Sequence, residues 1–127
     1  MTDEGVAGLE RSRHELAAAR LLADNGFPAQ AISRAYYAAF YAAEAALLGV
    51  GEVRSKHAGV IAAVGRLLVG DEGLDPDAGR LLRSLFERRS RADYESEAVP
   101  AAEGTQAISD ATRVVDVIAA WLERPPA

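Results

Sequence analysis

The run from Leu81 to Glu95, LLRSLFERRSRADYE, holds side chains that could do chemistry together: Arg88, Arg89, Arg91, Asp93 and Tyr94. Guanidinium groups present a rigid fork of donors that matches the oxygens of phosphate. Arg89 and Asp93 are four residues apart, a spacing that makes them neighbours on a helix surface. Leu82, Leu85 and Phe86 recur at three- and four-residue intervals, so the run is helical in pattern. At about 100° per residue, Arg89 and Asp93 continue the arc that those apolar side chains occupy. A helix normally keeps charge off the face it buries. Two explanations stand open. In one, Arg89 steadies charge on a phosphorus centre, Asp93 or Tyr94 handles protons, and Arg88 and Arg91 attract phosphate. In the other, Arg89 and Asp93 form a buried ion pair that fixes helix register. Removing one partner of such a pair typically costs about 3–5 kcal/mol.

The acid–base half of that constellation is thin. A carboxylate beside an arginine has its charged form favoured and is a poor acid at pH 7. A phenol with an unperturbed pKa near 10 is a weak base. A histidine would exchange a proton near neutrality. The chain has only His14 and His57, and neither lies in the arginine run. Lys56 and His57 sit together at the predicted start of another helix and are secondary candidates for a site. No cluster of metal ligands accompanies His57, so neither metal nor cofactor is expected. With no cysteine, thiolate chemistry and disulfides are excluded.

The 127 residues suit one domain, with a core spanning about residues 3–123. Half the residues are hydrophobic but only 6% aromatic, so alanine and leucine must supply most of the packing. The formal charge of -5 argues against a nucleic-acid grip spread over the whole surface, and leaves a local arginine patch as the alternative. No leader pattern or membrane-length apolar run is present, which predicts a soluble, cytoplasmic protein with no membrane partner.

Five helices are predicted, in an all-α antiparallel bundle. Thr2, Asp3 and Glu4 start the first, which ends at Asn25-Gly26. Pro28 opens the second, which runs to about Leu48. It is apolar on nearly every side, which marks it as the hub or as a helix sandwiched between its own core and a partner. Tyr36 and Phe40 read as core. Tyr37 and Tyr41 need polar partners if buried, and Arg34 can supply one or reach the arginine run. Ser55 caps the third helix, to about Val69. Asp75-Pro76-Asp77 starts the fourth, Glu95–Val99 is irregular, and Pro100 leads into the fifth, with Trp121 near its end. Arg11, Arg13 and His14 read as a solvated face.

Three stretches together resemble one family. Ser33-Arg34-Ala35-Tyr36-Tyr37-Ala38-Ala39-Phe40-Tyr41-Ala42 is similar to the SRAYYAxFYA run of small prokaryotic HEPN-domain proteins. Lys56-His57-Ala58-Gly59-Val60 looks like their KxHxGV element with one residue fewer between lysine and histidine. Phe86-Glu87-Arg88-Arg89-Ser90-Arg91-Ala92-Asp93-Tyr94 resembles their FExRxxADY signature. The resemblance implies a helical bundle that forms homodimers with the arginine motif near the interface. It also implies a toxin–antitoxin-like system with a nucleotidyltransferase partner, acting through nucleotide or RNA binding. Nuclease members of the wider superfamily cleave RNA without metal, using an arginine followed after four to six residues by histidine. In some pairs the nucleotidyltransferase adds AMP to a tyrosine near the motif, and Tyr94 is the matching position here. Counted from Arg89, however, that window reaches Tyr94, Glu95 or Ser96 in place of histidine. Three functions therefore remain: a nucleotidyltransferase-associated binding module, a metal-independent ribonuclease using Arg89 and Tyr94, and a non-catalytic dimeric scaffold.

Overall fold

A computed structural model describes residues 2–54, 56–94 and 98–125. The Thr2 hydroxyl accepts a hydrogen bond from the Gly5 amide at 3.1 Å and, with Asp3 and Glu4, starts α1 (Asp3–Asp24). Gly26 ends the turn after α1 with φ of +85°, a conformation open to glycine at little cost. Pro28 then begins α2 (Pro28–Leu48). The helix expected from position 55 to Val69 is wound in two ways. An α-helical α3 (His57–Ala63) passes into a π-helical stretch, Val64–Val69, closed by a bond from the Gly70 amide to the Gly65 carbonyl at 3.2 Å. The proposed cap, Ser55, lies outside the described residues, as do positions 95–97 of the expected irregular segment. The Asp75 carboxylate accepts from the Asp77 amide at 2.9 Å ahead of α4 (Pro76–Tyr94), and α5 (Ala101–Leu122) follows Pro100.

Among the described residues the result is a bundle of five helices with no strand, and no helix is long and apolar enough to cross a membrane. The hub is α2, which packs most extensively on α1, then α5, then α4. Its all-round apolar character is thus taken up within one chain. Small side chains allow close approach: a Cβ on Gly8 of α1 would lie 2.8 Å from the Cβ of Ala45. Leu16, Ile32, Leu47, Leu68, Leu82, Leu85 and Ile118 fill the interior. Burying each such side chain fully contributes about 1.5–3 kcal/mol. Trp121 donates its indole N–H to the Glu72 carbonyl at 2.9 Å, which pins the loop before α4 to α5.

The fully buried positions of α4 are Ala78, Leu82 and Leu85. Its last two turns follow the rim of the bundle, so the apolar stripe gives way to charge where the core ends.

Candidate functional site

Those two rim turns carry Arg89 toward α2. Its guanidinium carbon lies 5.6 Å from the ring centre of Tyr36 and 5.3 Å from that of Tyr37. Arg34 approaches Tyr37 as well, at 4.8 Å, while donating to the Glu15 carboxylate at 2.8 Å. Tyr37 therefore has two cations over its ring, a favourable arrangement worth about 0.5–1 kcal/mol per contact at partly exposed sites. Asp93 Oδ2 sits 3.1 Å from Arg89 Nε, but the N–H does not align with it, and Nε is buried without a hydrogen bond. A hydrogen bond weakens steeply when misaligned, so the contact is an attraction between charges only. The pair is no deep ion pair, with side chains 25% and 39% exposed. Arg89 makes no aligned hydrogen bond among the described residues; its Nε is sealed, so any ligand would have to meet the Nη groups.

The third component comes from α3. His57 stacks on Phe40 with ring centres 4.4 Å apart, meets Tyr37 edge-on at 5.8 Å, and has Phe86 at 6.4 Å. Its Nδ1 is 2.8 Å from the hydroxyl of Tyr36, a residue wholly shielded from solvent. Burial, and then the positive charge of Arg89, hold the imidazole pKa below its usual value. Burial also pushes the Tyr36 phenol far above its ordinary range, against the opposing pull of Arg89. At neutral pH both groups are uncharged. The centre thus sets Arg89, with the Asp93 carboxylate beside it, against a neutral histidine and two tyrosines, with Arg34 on Tyr37 as well.

The predicted residues divide around this centre. Arg34, Tyr37, His57, Arg89 and Asp93 come together. Arg88 instead turns to α5, where it pairs with Asp110 at 2.9 Å in a largely buried contact, and its Nε bonds the Ser84 carbonyl. Arg91 is exposed and lines, with Arg88, Val99 and Gln106, a cleft of ≈ 290 Å³ between α4 and α5. The three arginines therefore do not form one patch. Lys56 is exposed at the position before α3. Tyr94 is 88% exposed, and five residues on from Arg89 it points about 140° around the helix. A second cleft of ≈ 470 Å³ runs past Ser33, Arg34 and Asp93. Neither cleft reaches His57 or Arg89, which form a shallow surface centre.

Tyr36 is the residue that reading the sequence as core missed. Its signal was its type: a wholly buried tyrosine where phenylalanine would pack as well needs a partner for its hydroxyl. Arg11 is exposed, as expected of a solvated face, and there stacks over Tyr41 at 3.8 Å and donates to its hydroxyl at 2.9 Å.

The centre joins α2, α3 and α4, which carry the three stretches singled out in the sequence. Residues 7–122 match the HEPN domain. A protein of Methanocaldococcus jannaschii named "Putative toxin" is 34% identical over 116 residues, covering 91% of this chain and 87% of its own length. A "UPF0332 protein" of Thermotoga maritima is 39% identical over 84 residues, 66% of this chain and 64% of its own. Another from Gloeobacter violaceus is 35% identical over 94 residues, 74% and 75% of the two chains. Fold, motif placement and sequence agree, and this chain belongs to the HEPN domain family.

Proposed function

We propose that this chain is a toxin-like HEPN protein that acts by binding RNA or nucleotide phosphate at the Arg89 centre, within a nucleotidyltransferase-associated system. The observation that carries the reading is the state of Arg89: partly exposed at the rim, set over two tyrosine rings, and without an aligned hydrogen bond among the described residues. A guanidinium in that condition has donors to offer a phosphate, and a flanking tyrosine edge suits a base or ribose. A relative named as a toxin supports the same direction. Homodimerisation belongs to this reading, and light scattering at micromolar concentration tests it. A monomer there removes the dimer from the account.

The role of Tyr94 in such a system is to accept AMP from the partner. Its oxygen would bond to the α-phosphorus of ATP, pyrophosphate would leave, and the phenolic proton would pass to solvent. Exposure of the ring is what supports it. The binding test is fluorescence anisotropy of a labelled single-stranded RNA and of labelled AMP, with wild type and Arg89→Ala. Both proteins should give the same circular dichroism, and binding should fall at least about tenfold in the variant. Equal binding by the two would overturn the reading.

The ribonuclease reading has one observation in its favour, a histidine beside the arginine supplied from α3. Release of fragments from total cellular RNA by wild type, and not by a folded Arg89→Ala, would establish it.

A further inference from the structure

We infer that His57 and Arg89 form a two-point donor site for a nucleotide or RNA phosphate, in which Tyr36 fixes the His57 tautomer so that Nε2–H points outward. The inference rests on the phosphate-binding reading above and adds to it the second donor and the residue that sets it. It also assigns His57 a role other than proton abstraction.

The argument starts at the Tyr36 hydroxyl. It is enclosed in the core, and its partner among the described residues is His57 Nδ1 at 2.8 Å. An enclosed O–H left without an acceptor carries a desolvation penalty that an enclosed lone pair largely escapes, since an oxygen has lone pairs to spare. The phenol therefore donates and Nδ1 accepts. A neutral imidazole that accepts at Nδ1 carries its one proton on Nε2. The phenol stays protonated because burial disfavours its anion, and the ring stays neutral because burial and Arg89 disfavour the imidazolium.

The direction of that N–H follows from packing. Phe40 covers one face of the imidazole, and Tyr37 stands perpendicular to it. Among the described residues Nε2 has no protein partner, and His57 is itself only partly buried. Arg89 and His57 flank the same two rings. The guanidinium carbon is 5.6 and 5.3 Å from the centres of Tyr36 and Tyr37, and the imidazole centre is 5.6 and 5.8 Å from them. A cation and a neutral donor beside the same two rings offer an oxyanion, which takes several donors at once, one contact from each. A general base would instead need an unprotonated Nε2, which this tautomer does not offer.

Long-range proton–nitrogen NMR on the labelled full chain reads the tautomer directly, and titration with AMP or with a short single-stranded RNA reads the site. The expected results are the Nε2–H form in the free protein and about tenfold weaker binding in His57→Ala. In His57→Gln binding should be retained, because the glutamine amide N–H reaches the same position. Tyr36→Phe, which keeps the ring packing, should give a mixture of tautomers and weakened binding while the fold persists. Binding of both ligands would mark the phosphate itself as the target, and binding of RNA alone would mark the strand. An Nδ1–H tautomer overturns the inference, as does unchanged affinity in His57→Ala where Arg89→Ala has lost binding. If no ligand binds to wild type, the phosphate-binding reading fails along with it, whatever the tautomer.

Discussion

Adjacent arginines with the same intrinsic chemistry have opposite jobs because the helix turns them about 100° apart. Arg88 is set between α4 and α5, its pair with Asp110 only 17% and 20% exposed, while Arg89 stands at the rim with Asp93. Truncating one partner of an enclosed pair strands the other charge, whereas exposed pairs contribute about 0–1 kcal/mol. Arg88→Ala should therefore destabilise by about 3 kcal/mol and Arg89→Ala by less, about 1–2 kcal/mol with its two ring contacts included, measured by urea unfolding. If Arg89→Ala were the more damaging, Arg89 would be a structural residue. His57 gives a pH signature with a fixed sign. Its folded pKa is depressed, so below its usual value of about 6.5 the unfolded chain binds more protons than the folded one. The stability this group contributes is complete above that pH and is lost as pH falls toward the folded value. The gap in unfolding midpoint between wild type and His57→Gln should accordingly shift against wild type on going from pH 7.5 to 5.5. A gap that does not move would mean His57 is not held neutral.

Helix periodicity made the elements legible: α1, α2, α4 and α5 begin at capping and proline signals that the side chains themselves announce. The π-helical winding of Val64–Val69 was not legible, since it depends on how the chain must meet Gly70 and Leu74 and not on any local pattern. The site was half legible. Arg89 stood out because charge interrupted an apolar arc, and His57 was visible only as a lone histidine. Their meeting required α2 to present Tyr36 and Tyr37 between them, which is a matter of packing between distant elements. The α1–α2 contact offers a test of that packing. Gly8→Ala gains about 1 kcal/mol in helix propensity. The new methyl would meet the Cβ of Ala45 at 2.8 Å, and both atoms are fixed to helical backbone, so the helices must part. Overpacking of this kind costs about 1–3 kcal/mol, and the net effect should be a lower thermal midpoint. A raised midpoint would show that α1 can shift without loss.

At the scale of the molecule, the proposed phosphate site is a small area around Arg89 on an acidic bundle. The net charge of -5 repels phosphate at long range, so binding should depend on contact at Arg89 and should not resemble diffuse adhesion to a basic surface. Membership of the HEPN family supplies the bundle, and the junction of α2, α3 and α4 supplies the centre. The most direct measurement is chemical-shift mapping of the isotope-labelled protein titrated with short single-stranded RNA and with AMP. This account predicts perturbations concentrated at Tyr37, His57 and Arg89. Perturbations confined to Arg88, Arg91 and Gln106 in the α4–α5 cleft, or none at saturating ligand, would contradict it.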